Sequence, residues 1–521
     1  MLAVFAIAFI ARLSQMSHGM DQWDVVLYRN SLVDLRFYRE AQWPLLLVFQ
    51  KLLWTLLPGY SAQQILSLTN VILSAGTLSL FFGLVYRVTK SYLVGFILCV
   101  SLFFLPLLGV YSVVGMQDMA QTFMVTLCLA TLLQFCYSQR LNWLYASGLV
   151  AGLTMGVRLN LGIILLPLGL AVLMTKGLKL QNYLRLGAAF VAGALVWLVA
   201  GLFIKPMPNA QPIGFFLSQF RMFNPSVLGY WTKAGSYALL SGEKLGLFYW
   251  LPFVWFVVYL LSHRRKKERS IGQIVALVGA LVSLSVAYGL LQFLKIVIHD
   301  RYYLALIVLS VCLGYELFRF LPRIRSYLKN ISHQEKALIV LSSLVLVFIV
   351  FDYSFTAPVA RYLLPLVPAV LLLMLMVVEQ KGWRKWIVVG LITGFSYWAC
   401  SFGWSRHIVS AYHQLDPRSA VAEYVATHPG IYHDLDPNHS TGSHLDVYGV
   451  RNQVLLTEVD CGTLNIGPDL VIYYGDYSDY MRPNCPGYKL IKRARFQRDE
   501  FIIEDSLGNR GYTIYQLVPA Q

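Results

Sequence analysis

The sequence predicts a polytopic α-helical membrane protein that carries a small α/β domain at its C-terminal end. Three observations predict it. Of 521 residues, 57% are hydrophobic and only 13% charged, where a soluble domain carries roughly 25% charged residues. Apolar runs of near-spanning length recur through the first 404 residues. Beyond them the composition turns ordinary. Together these exclude a typical soluble globular protein, a disordered chain and a disulfide-dense secreted module.

A spanning helix needs about 20 apolar residues. By that measure there are about thirteen candidate spans, at 1–13, 62–86, 91–109, 118–138, 142–157, 159–175, 185–204, 245–262, 272–294, 302–320, 337–352, 359–378 and 385–404. The first run, Met1 to Ala11, has the length of a signal peptide, but no small-residue cleavage site follows it. It reads as a first membrane helix, several residues short. The run 44–58 is apolar too, but it contains Lys51 and ends in Pro58-Gly59, so it is expected to lie at the interface. Gly148, Gly152 and Gly156, four residues apart, predict close helix packing.

Charge fixes the expected orientation. Residues 1–404 hold 32 Lys+Arg and 12 Asp+Glu, whereas residues 405–521 hold 10 and 14. The cations gather in alternate loops: Arg87 and Lys90, Arg140, Lys176 to Arg185, Arg264 to Arg269, Arg319 to Lys336, and Lys381 to Lys385. The positive-inside rule puts these loops and the N-terminus in the cytoplasm. Loops 14–61, 109–118, 205–244, 295–301 and 352–358, and the C-terminal domain, then lie outside. The whole is an integral protein of a bacterial-type plasma membrane. The same rule accounts for the basic surplus, and no nucleic-acid motif is present.

Residues 1–404 thus form the membrane domain and 405–521 a soluble extracytoplasmic one. In the latter, Ser419 to His428 reads as a helix, and strands are expected at Gln453–Thr457, Leu470–Tyr474, Phe501–Glu504 and Tyr512–Leu517. Cys99, Cys128, Cys136, Cys312 and Cys400 lie in apolar runs and read as packing residues. Cys461 and Cys485 lie in the polar domain and are expected to form a disulfide in an oxidising compartment. No Cys or His spacing suggests a structural metal.

Ionisable groups next to a membrane are functional suspects. The first outer loop contains Asp21, Trp23, Asp24 and Tyr28; two carboxylates three residues apart share a face if the segment is helical. Each acid either caps or is solvated, or else accepts a proton from a hydroxyl. Asp118 begins an apolar run after Tyr111-Ser112; it is either an N-cap or a second acid of the same site. Arg158 and Asn160 lie in a short turn between apolar runs. His299, Arg301, Arg361 and Tyr362 lie at the outer starts of two others. An arginine there either snorkels to the interface or binds a phosphate or carboxylate.

These motifs, in this order and on one expected side, resemble the GT-C superfamily of membrane glycosyltransferases, of the type that includes protein O-mannosyltransferases and the lipid A aminoarabinose transferase. Asp24-Val25-Val26-Leu27-Tyr28 matches that type's Asp-Glu-x-x-Tyr, with Val25 in place of Glu. Tyr111, Ser112 and Asp118 match its second outer loop, and Arg361 to Pro368 its later Arg-Tyr-Leu-Leu-Pro-x-x-Pro run. The resemblance covers the helical order to about residue 404. It implies transfer of a sugar from a polyprenyl-phosphate donor to an acceptor hydroxyl of a glycan, lipid or protein.

In that scheme Asp24 is the general base and Asp118 orients acceptor or sugar, with Asp21 a further candidate acid. Arg158, Arg301, Arg361 and Tyr362 receive the donor phosphate. Tyr28, Trp23, Asn160 and His299 contact acceptor or sugar. No cofactor is required, although the superfamily admits a divalent metal. The competing expectations are a transporter or flippase of a lipid-linked glycan, and a glycan ligase or polymerase.

Overall fold

The computed structural model describes residues 1–16, 23–36, 44–205, 247–262, 271–281, 308, 310–316, 318–319, 331–355, 364–378, 382–403, 421, 424–428, 432–434, 454–455, 470–474, 487–497 and 511–519. Ten helices lead the chain: α1 (Leu2–Leu13), α2 (Trp23–Asp34), α3 (Pro44–Leu56), α4 (Ala62–Thr89), α5 (Tyr92–Phe103), α6 (Pro106–Tyr111), α7 (Asp118–Ser138), α8 (Leu141–Met155), α9 (Leu165–Lys176) and α10 (Leu180–Leu202). Further helices cover Leu247–Ser262, His333–Phe355, Val367–Val377 and Arg384–Gly403.

Among the described residues, three helices are long and apolar enough to cross a membrane, namely α4, α7 and α10. Several of the others are shorter, or interrupted. The expected span 91–109 is one of these. Pro106 lacks an amide proton and its ring disfavours a helix running through it, so α5 stops at Phe103 and Pro106 starts the one-and-a-half-turn α6 instead. The expected span 159–175 likewise begins with a 3-10 helix, Leu159–Ile164, before α9.

Local sequence sets the helix ends. Ser61 and Gln64 form a capping box on α4: the Ser61 hydroxyl accepts from the Gln64 amide (3.2 Å) and the Gln64 side chain accepts from the Ser61 amide (2.8 Å). At the other end Lys90 adopts a left-handed conformation, as Gln139 does after α7. Several hydroxyls inside the apolar helices return to their own backbone, as in Thr69 to Ile65 (2.7 Å), Thr77 to Leu73 (2.8 Å) and Thr126 to Thr122 (2.7 Å). Such bonds satisfy a polar group where water is absent.

The glycine row acts as expected. A β-carbon on Gly152 would overlap the Phe190 carbonyl of α10, and one on Gly193 would overlap the Leu149 carbonyl of α8. The two backbones therefore cross in direct contact. Helix Val367–Val377, apolar on every side and buried except at the half-buried Val370, packs against α4, α7, His333–Phe355 and Arg384–Gly403 and forms the middle of the bundle. Cys99, Cys128 and Cys136 are buried free thiols within it.

The last part of the chain holds a five-stranded sheet of order β2-β1-β3-β5-β4, with β1 Tyr432–Asp434, β2 Val454–Leu455, β3 Leu470–Tyr474, β4 Tyr488–Gln497 and β5 Gly511–Pro519. β1 runs parallel to β2 and β3; β5 is antiparallel to both β3 and β4. β2, β3 and β5 fall on expected strands, and 424–427 on the expected helix. The strand expected at Phe501–Glu504 lies outside the described residues. β1 and β4 were not expected. In β4, Lys489, Lys492, Arg493 and Arg495 obscure the alternation, and Arg493 is a bulged residue between Lys492, paired with Tyr515, and Ala494, paired with Ile514.

Candidate active site

The bundle has two unlike ends. At one, the Arg87 guanidinium lies over the Tyr137 ring (5.4 Å) and Gln139 bonds His333 (3.2 Å). This brings together Lys90, Arg140 and Lys336, all from loops expected in the cytoplasm. The opposite end collects α2, the start of α3, the 112–117 loop and the Gly156–Arg158 turn. There the Leu45 amide donates to the Gly156 carbonyl (3.3 Å), and the Lys205 amide to the Leu35 carbonyl (2.9 Å).

Asp118 is the first residue of α7 and is 1% exposed. The N-cap is Gln117, which itself has helical backbone angles and makes no side-chain cap bond. Asp118 is therefore a first-turn acid, at the end where the helix dipole favours negative charge. Tyr111, Ser112 and the loop that follows are buried. This loop is unusually well held for irregular backbone. The Ser112 hydroxyl donates to Gly109 (2.6 Å), and the Met116 amide turns back to Val114 (2.8 Å). From α4, Asn70 Nδ2 donates to the carbonyls of both Val114 and Met116.

The first-loop motif lies on α2, beside this loop. A β-carbon on Gly115 would sit 2.8 Å from Leu66 Cβ of α4 and 3.4 Å from Val25 Cγ1 of α2. Val25 is fully buried and Tyr28, one turn on, is 5% exposed. The glycine thus lets the helix turn that contains Trp23 and Asp24 pack against the loop that delivers Asp118. Val25, standing where the resembling families have Glu, is the packing contact. The far end of α2 is held by Lys51 of α3, whose Nζ donates to the carbonyls of Leu32 and Val33 (3.2 Å each) while lying 4.5 Å from the Trp54 ring. A cation at a helix C-terminus is favourable for the same dipole reason.

Arg158 has extended backbone before the 3-10 helix and is half-buried. Its Nη1 donates to Gln121 Oε1 (3.2 Å). Gln121 lies one turn after Asp118, on the same side of α7, so the guanidinium is directed at the helix start rather than outward to an interface. Asn160 falls within the 3-10 helix. Asp21, His299, Arg301, Arg361, Tyr362, Cys461 and Cys485 lie outside the described residues. Of Trp23, Asp24 and Asn160 the backbone alone is described. Among the described residues, no three His, Cys, Asp or Glu side chains converge.

Sequence reasoning missed Asn70, Gln121 and Arg12. Arg12 ends α1 fully buried; it donates to the Phe103 carbonyl and to Gln15 Oε1 (2.9 Å) and stacks on the Phe103 ring (3.8 Å). It caps the helix that Pro106 cuts short. A charged residue at the end of a short apolar run, and amides inside long ones, were the available signals.

No protein-family model and no curated protein matches the chain. Among solved structures it is similar to ArnT from Cupriavidus metallidurans bound to undecaprenyl phosphate, at 14% identity and TM-score 0.45, with 99% of this chain and 97% of that one covered. The same protein in its apo state gives 15% identity and TM-score 0.44, at the same coverage.

Proposed function

We propose that the chain is an integral membrane glycosyltransferase that moves a sugar from a polyprenyl-phosphate donor to an acceptor hydroxyl on the outer side of the membrane. The observation that carries this reading is the packing of Val25 on Gly115. It sets the helix turn of Asp24 against the loop of Asp118, joining the two acidic motifs whose sequence resembles GT-C transferases. Arg158, bonded to Gln121 one turn from Asp118, supplies a cation at the same end.

In this reading the Asp24 carboxylate takes the proton of the acceptor hydroxyl as its oxygen attacks the anomeric carbon. The bond from that carbon to the phosphate oxygen breaks, and the configuration inverts. The lipid phosphate departs as an anion stabilised by Arg158, Arg301 and Arg361, with Tyr362 beside them, a form of electrostatic catalysis. Asp118 orients acceptor or sugar, Asp21 assists, and Trp23, Tyr28, Asn160 and His299 bind the sugars. A lipid-linked donor fits a site on the side opposite the cytoplasm, where nucleotide sugars are made.

The test is transfer by purified protein from a panel of polyprenyl-phosphate hexoses and pentoses to glycan, lipid and peptide acceptors. Release of polyprenyl phosphate coupled to a glycosylated acceptor is expected. Movement of an intact lipid-linked glycan across a vesicle membrane without bond cleavage would favour the flippase instead, and transfer of a whole glycan chain the ligase or polymerase.

A further inference from the structure

We infer that Asn70 is a positioning residue for Asp118, a role that rests on the transferase reading above. Asn70 stands inside α4, the longest apolar helix, and is 1% exposed. An amide there costs free energy unless it is bonded. The hydroxyls of Thr69 and Thr77 on the same helix bond their own backbone. Asn70 does not. Its Nδ2 reaches off the helix to two carbonyls, those of Val114 and Met116, while its Oδ1 is buried without a partner.

A leucine would fill this position with no polar atom to satisfy, so packing of α4 does not explain the amide. The loop explains it. Residues 112–117 are irregular backbone buried away from solvent, and their carbonyls need donors that water does not provide. A carboxamide offers two N–H groups on one nitrogen, which matches two carbonyls that the Met116-to-Val114 turn brings close together. Met116 is two residues before Asp118. On the other side, Gln121 holds Arg158 one turn later. The carboxylate is thus bracketed, and Asn70 fixes its entry to α7.

Asn70→Asp tests this in the full-length protein, because it keeps size while replacing both donors with an acceptor. Only a protonated carboxyl can donate to the loop. The ratio of variant to wild-type turnover should therefore rise as pH falls. At pH 8 turnover should be about 10- to 100-fold down with donor KM little changed, the scale of loss from sub-ångström to ångström misplacement. Asn70→Ala should lose turnover by a factor independent of pH. Amides in 112–118 should exchange hydrogen faster in both variants, while those of α10 remain as in the wild type.

Wild-type turnover and exchange in both variants overturns the inference. So does a loss in Asn70→Asp that is flat with pH and accompanied by faster exchange throughout the bundle, which marks a merely structural residue. If wild-type protein transfers from no donor, the transferase reading fails, yet exchange in 112–118 still decides whether Asn70 holds the loop.

Discussion

The two ends of the bundle reverse the chain in different ways. At the basic end α4 passes to α5, and α7 to α8, through two-residue connections whose first residue is left-handed, Lys90 and Gln139. The long-range bond there, Gln139 to His333, joins two side chains rather than the turn's backbone. At the opposite end the chain takes a broken helix, a short α6 and a buried loop to get from α5 to α7, and a 3-10 helix to get from α8 to α9. That backbone is held from outside by Asn70, by Arg12 on Phe103 and by Leu45 on Gly156. Irregular backbone at membrane depth persists where it is buried in protein or lines a cavity. In the proposed reading function sits at the second end and plain chain reversal at the first.

The sharpest way to break this contrast is Asp24→Asn, which keeps size but cannot take a proton at neutral pH. Transfer should fall by about two orders of magnitude or more, with donor binding retained; matched expression and melting temperature are the controls. A well-folded variant with near-normal turnover would move the base to Asp21 or Asp118. Next is Arg361→Ala, expected to weaken donor binding by roughly tenfold, as loss of a charge-assisted phosphate contact does, seen as a raised donor KM. Asp118→Asn should impair transfer and Asp21→Asn should matter less.

Gly152→Leu tests the bundle between the two ends. Any side chain there meets the Phe190 carbonyl, so α8 and α10 must separate. A cost of about 1–3 kcal/mol, typical of overpacking, should appear as a lower melting temperature, and an unchanged melt would show that the helices do not cross so closely. The smallest effect is expected at the basic end. Gln139→Gly relieves a left-handed non-glycine residue, whose strain is about 1 kcal/mol, and should leave transfer untouched while the melt holds or rises slightly. Loss of transfer in that variant would erase the distinction between the ends. The sides themselves are read by placing a cysteine at Ser440: labelling from outside intact cells is expected, and labelling only after permeabilisation reverses the orientation.

Much of the helical layout was legible because twenty apolar residues in a row have few alternatives. The 118–138 span was read to the residue, since Asp118 and the polar Gln139-Arg140 bound it. Pro106 was less well read, lying in a run whose hydrophobicity on either side suggested one continuous span. Strand β4 escaped because four cations in ten residues mask its period. Asn70 and Gln121 carry no local motif at all. Their meaning depends on partners about 40 residues away, Val114 and Arg158, and such pairings exist only in the folded chain.

The cationic bulge in β4 has a consequence for life in a bilayer. β4 closes one side of the described sheet, and its outer backbone groups are a template for another strand. If, as the sequence predicts, this sheet belongs to a domain tethered to a membrane helix, it meets its copies in two dimensions, at high local density and with its rotation restricted. Two flat edges presented in the same orientation would zip together and draw their chains into clusters. Arg493, displaced from the ladder and tied to Gln516 (2.7 Å), breaks the regular spacing such pairing needs, and exposed Lys489 and Lys492 repel their counterparts. An edge built this way is a poor template for strand-to-strand pairing between copies.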